Sequence, residues 1–321
     1  MKFTANKILL ARSLPPHEEG VSRRLAEDLR IESFSKNSLP IEDQAIESKS
    51  DLLILFSSIS RKFREEGEIP FLHIDAHGGR DFLQLSSGEH MPWTEFISHT
   101  TRLNKNLKMN LAISLGVCEG AWAIIGMKGI ERAPFMLLFA PKNPLSAADA
   151  TTWSKRLYSG ILDNQPIGNV YESANLLVSL ESNFSRYTAA NLFHLAINSY
   201  IENYSDRVSK RYRAAKLLRA ARKISKNKNR NAHKTSDVVK KLTMTEFEIE
   251  KMWKRYAWHD LEQDVAARTP FPTDWKWELS PRIKNGKSRK RLLKEKRKSE
   301  PSYGKLTSYY KSLPIEDDMN P

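Results

Sequence analysis

The chain has 321 residues, 40% of them hydrophobic and 28% charged, which suits one sizeable core plus a smaller module. No apolar run approaches the length of a membrane span and the first residues lack a signal-peptide pattern, so a cytoplasmic protein without membrane contact is expected. A single cysteine, Cys118, excludes an internal disulfide and any multi-cysteine zinc or iron–sulfur site.

The net charge of +14 is unevenly placed. Residues 1–180 carry 20 Lys+Arg against 21 Asp+Glu, and residues 181–321 carry 32 against 17. A near-neutral first half is therefore joined to a basic second half, which invites a polyanionic partner or simply reflects solvated helix faces.

Lys7–Ala11 (KILLA) reads as a strand, Val21–Leu29 and Asp51–Phe63 carry helical spacing, and Phe71–Asp75 (FLHID) is a second strand. Asn110–Val117 (NLAISLGV) and Pro134–Ala140 (PFMLLFA) are further strands, the latter followed by a helix from about Ser146 to Leu162. Short apolar strands separated by helices predict an α/β fold with a central, mostly parallel sheet flanked by helices. Beyond Leu180 the pattern reads as all helix. One stripe runs through Ala189, Leu192, Phe193, Ala196, Ile197, Tyr200, Ile201 and Tyr204, and a second through Val208, Tyr212, Ala215, Leu218 and Ala221. Residues 225–234 read as a loop, Thr245 and Glu248 form a capping-box pattern, and residues 282–298 carry ten Lys+Arg against one Glu. The expected divisions are 1–180 for the α/β domain, 181–262 for a C-terminal helical module and 263–321 for a mobile basic tail.

Two segments end a strand with a reactive residue followed by glycine: His73–Gly79 (HIDAHGG) and Leu115–Gly120 (LGVCEG). If these strands are neighbours in a parallel sheet, His77 and Cys118 emerge at one edge, where an imidazole can take the thiol proton and later protonate a leaving amine. Gly78, lacking a side chain, would let its backbone N–H approach a substrate carbonyl beside that of Cys118, forming an oxyanion hole. Composition and spacing leave the alternative equally open, with Cys118 a small buried hydrophobe and His77 a turn residue.

The strand with His-Gly, the polar segment Phe82–Glu89, the helix Trp93–Leu103 and the strand ending in Cys118-Glu119-Gly120 follow one another in a fixed order. In this they resemble the caspase-like cysteine peptidases, in particular the CHAT group related to separase. The resemblance continues through PFMLLFAP, the helix with Asp149, Trp153 and Tyr158, and Pro166–Leu180, read as a closing helix; it covers residues 1 to about 180. It implies a caspase-like fold and a peptidase with Cys118 as nucleophile, His77 as general base and acid, and the Gly78 and Cys118 amides as oxyanion donors. It also implies a protein substrate, no cofactor, and a regulated role in bacterial defence or cell death with a separate activating partner. Many relatives carry an acidic or polar residue two positions before the cysteine. Here that residue is Gly116, so a requirement for Arg or Lys before the scissile bond has no support from this position.

His73 and Asp75 alternate with His77 on one strand face, but no further ligands make a metal site of them. His73 is expected to pack beside the site, Asp75 to be a solvated strand-end carboxylate, and Gly116 and Glu119 to flank the nucleophile. His90 and His99 are given no role. The order small-x-Cys-x-small also fits an amidotransferase-type elbow, yet that arrangement needs a histidine after the cysteine, and His194, His233 and His259 lie in the helical, basic part. The alternatives to a peptidase are a catalytically silent caspase-like scaffold and a module binding nucleic acid or acidic protein through the basic half.

Overall fold

The computed structural model describes residues 4–127, 132–204, 246–261 and 263–272. The chain divides into two units, Met1–Leu192 with Lys254–Pro270, and Phe193–Trp253 with Phe271–Pro321. The expected second stripe from Val208, the loop at 225–234, Thr245 of the capping pattern and the basic run at 282–298 lie outside the described residues.

The first unit opens with β1 (Lys7–Ser13), α1 (Glu19–Ser35), β2 (Ile41–Ala45), α2 (Lys49–Glu66) and β3 (Pro70–Gly78). A hairpin, β4 (Phe82–Gln84) and β5 (His90–Pro92), leads into α3 (Trp93–Asn106) and β6 (Ala112–Gly116). A 3-10 turn at Gly120–Gly126 precedes β7 (Leu137–Pro141), α4 (Ala147–Leu162), α5 (Ile167–Asn175), β8 (Phe184–Thr188) and the start of α6 (Ala189–Tyr204). The sheet runs in the order β2-β1-β3-β6-β7-β8, with the β4–β5 hairpin attached to the end of β3. Only β8 breaks the parallel run of that path, pairing antiparallel with β7. The protein is thus α/β with a mostly parallel sheet flanked by helices, consistent with a caspase-like architecture.

The local chemistry explains these elements. Ser48 and Asp51 form a capping box that starts α2, and Gly67, at φ 69°, stops it. Ser146 likewise caps α4 by accepting from the Asp149 N–H. β6 and β7 are buried along their whole length, which is why they read as continuous apolar runs. Phe71, Ala112, Leu137 and Phe139 pack on one face with Leu25 and Leu29 of α1 and Trp153, Leu157 and Tyr158 of α4. The alternating Leu72, Ile74, Ile113 and Leu115 are buried on the other.

Two strands escape the hydrophobic pattern. β2 (IEDQA) is a half-exposed edge strand whose polar residues hide its period, and β8 (FSRYT) is a short strand on the opposite edge. The expectation of helix alone beyond Leu180 is corrected by β8. The expected closing helix over Pro166–Leu180 also ends early, at Asn175, leaving Leu176 and Leu180 exposed.

α7 (Glu246–Tyr256) and α8 (Gln263–Arg268) follow in the chain. Within the first unit, Arg132 forms a two-pronged ion pair with Asp260 (2.5 and 2.7 Å) and lies over the Trp258 ring. In the second unit Phe193 and Trp253 meet edge to face at 5.3 Å. Among the described residues no helix is long and apolar enough to cross a membrane.

Candidate active site

β3 and β6 are parallel neighbours, with His73 opposite Ser114 and Asp75 opposite Gly116. Side chains alternate along a strand, so His73, Asp75 and His77 share one face, as expected, and Ser114 and Gly116 share it with them. His77 and Cys118 each lie two residues beyond the last pair, at the carboxyl edge of the sheet. A second observation brings these chain ends together. A Cβ placed on Gly78 would stand 2.4 Å from Val117 Cγ1 and 3.6 Å from the Cys118 carbonyl oxygen. Glycine at 78 is therefore required by the close approach of the two strand ends, whatever its amide does.

Cys118 sits on a tight turn. The Gly120 N–H donates to the Val117 carbonyl (2.9 Å), and Glu119 adopts the left-handed φ of 55°, a costly conformation for a non-glycine residue. The neighbours hold it there: the Glu119 N–H donates to Asn143 O (3.1 Å), and its carboxylate accepts from Arg80 Nε (2.8 Å). Arg80 also covers the Trp122 ring. Glu119 thus shapes the turn that presents Cys118.

The thiol itself is half-buried and engaged by the loop after β7. The Leu145 N–H donates to Sγ at 3.3 Å, and Sγ lies 3.6 Å from the Leu145 carbonyl. The backbone N–H of Cys118 donates to no group among the described residues. His77 is also half-exposed, and its Nε2 contacts Glu18 Oε2 at 3.1 Å. No hydrogen bond joins His77 to Cys118 in this arrangement.

Beneath the pair lies a polar cluster that corrects the reading of Asp75. Its carboxylate is not a solvated strand end: it accepts a hydrogen bond from Ser22 of α1, and burial pushes it up to about 6 despite that bond and the positive charge of Arg12. His73 is buried edge-on against the Tyr158 ring, 5.6 Å between centroids, and burial lowers it to about 4. Its Nδ1 has no hydrogen-bond partner among the described residues. Burial also raises the Tyr158 phenol, which lies beside Ser114.

Gly116 is explained by the same cluster. A Cβ there would meet Asp75 Oδ1 at 3.2 Å and the His73 ring at 3.2–3.3 Å. The room left by the missing side chain is filled by the Asp75 and His73 side chains of β3.

Glu18, Ser22, Leu145 and Tyr158 escaped sequence reasoning, because each reaches the site from an element remote in the chain. His90 stacks on Phe82 within the hairpin, 3.9 Å between ring centroids. Among the described residues no group of three His, Cys, Asp or Glu side chains could hold a metal ion. A cleft lined by Lys7, Glu42, Lys62 and Glu68 lies at the amino ends of β1 and β3, the opposite edge of the sheet. Lys7 spans it with ion pairs of 2.6 Å to both glutamates. The sequence matches no known family model and none of the curated proteins.

Proposed function

We propose that the protein is a cysteine endopeptidase acting on a protein substrate through His77 and Cys118. The observation that carries this reading is the convergence of the two strand ends at the carboxyl edge of a parallel sheet, where such folds place their chemistry. His77 would take the Sγ proton as the sulfur attacks the scissile carbonyl, and the Cys118 amide, which donates to no group among the described residues, would donate to the developing oxyanion. The imidazolium then protonates the leaving amine, and water hydrolyses the thioester with His77 again as base.

A silent scaffold is the second reading, favoured by one fact: His77 and Cys118 bond to Glu18 and Leu145 and not to each other. Catalytic hydrogen bonds are often unmade before substrate arrives. A resting state of this kind also suits a regulated effector in bacterial defence or cell death that waits for a separate partner, as the family resemblance implies. The test is cleavage of a lysate proteome, read as new protein N-termini, by wild type, Cys118→Ala and His77→Ala, each checked by thermal melt. Cleavage should vanish in both folded variants. Undiminished cleavage by Cys118→Ala would remove the mechanism, and an inert wild type whose Cys118 alkylates at the same rate with and without His77 would favour the scaffold.

A further inference from the structure

The His77 imidazole has a partner that the two-residue mechanism does not use. Glu18 stands at the N-cap of α1, and its side chain makes no cap hydrogen bond. Its Oε2 instead contacts His77 Nε2 at 3.1 Å, across 59 residues of chain. The approach is built into the backbone. β1 ends at Ser13, paired with Ala76, the residue before His77. The chain then turns through Pro15 and Pro16, and both the Glu18 and Glu19 N–H groups donate to the Pro15 carbonyl (2.9 and 3.1 Å). Two prolines and these two hydrogen bonds fix where the Glu18 side chain starts.

Resting on the peptidase reading above, we propose that Glu18 is a positioning residue that orients His77 for its work on Cys118. A carboxylate at Nε2 requires a proton there, which leaves the lone pair on Nδ1 to accept the thiol proton. The same carboxylate opposes the positive charge that His77 gains when the proton arrives. Both side chains are 42% exposed, so the contact contributes little to stability, and its effect belongs to the reaction. Glu18 makes no hydrogen bond to Cys118; it acts through His77.

The experiment uses the full chain as wild type, Glu18→Ala, Glu18→Gln and His77→Ala, with thermal melts to confirm folding. Two quantities are read: the ring ¹⁵N shifts of His77, which report its tautomer, and the rate of Cys118 alkylation by iodoacetamide near neutral pH. Wild type should show protonated Nε2. Glu18→Ala should mix the tautomers and slow alkylation about tenfold, part of the usual contribution of a general base. Glu18→Gln, which keeps an acceptor for Nε2–H, should hold the tautomer and lose less rate. If Glu18→Ala changes only one of the two quantities, or neither, while His77→Ala slows alkylation, the positioning role is refuted and the dyad stands. If His77→Ala alkylates like wild type, the peptidase reading fails, and with it the positioning role, even where Glu18 sets the tautomer.

Discussion

Asp75 and His73 sit two residues apart on β3, and burial drives them in opposite directions, the carboxyl up to about 6 from 3.8 and the imidazole down to about 4 from 6.5. Displacements of about two pH decades correspond to roughly 3 kcal/mol each. The folded chain holds the Asp75 proton more tightly than the unfolded chain. That contribution is complete below pH 3.8 and is lost as pH rises through 6. The folded chain binds a proton at His73 less tightly, so that contribution is complete above pH 6.5 and is lost as pH falls through 4. The two windows nearly coincide, and the losses offset one another. Single substitutions separate them. Asp75→Asn can still accept from Ser22, and between pH 4 and 7 its stability relative to wild type should climb by up to about 3 kcal/mol, less for whatever solvent the carboxyl retains. His73→Gln should drift in the opposite sense, losing ground to wild type as pH rises through the same interval. Urea unfolding of the three proteins at four pH values measures both trends. Offsets that stay constant with pH would show that neither group is perturbed by the fold and refute the reasoning.

Gly78→Ala should cost about 1–3 kcal/mol through the clash with Val117 Cγ1, and adding Val117→Ala should recover part of that loss; additive effects in a double-mutant cycle would contradict the contact. Gly116→Ala should be milder, because its Cβ meets side-chain atoms at 3.2 Å, and a thermal melt as damaged as that of Gly78→Ala would overturn the ranking. Arg132→Ala removes an ion pair, a cation–π contact and a bond to the Arg255 carbonyl, and should lower stability by about 1–2 kcal/mol in chemical denaturation; an unchanged midpoint would make that cluster incidental.

The parallel sheet and the position of the strand-end residues were legible in the sequence because burial on both faces writes itself as near-continuous apolar runs, as in Leu111–Leu115, broken only by Ser114, and Met136–Ala140. His77 and Cys118 stood out because each ends a segment read as a strand and stands shortly before a glycine, Gly78 and Gly120. Edge strands leave no such trace: β2 and β8 are half-solvated, and their polar residues read as loop or helix. The immediate partners of the site were invisible for a different reason. Periodicity reports which face of an element is buried and nothing about what arrives there, so a capping position such as Glu18 reads as the start of a helix until the turn at Pro15 carries it to His77. Gly116 makes the same point. The sequence shows only that a side chain is missing there, and the pairing of β3 with β6 fills that space with Asp75 and His73. The sequence by itself determined which residues end the buried strands, since local hydrophobicity decides that. The tertiary structure decided which groups bond to them and which carboxylate is buried, because those follow from strand register and helix packing between residues far apart in the chain.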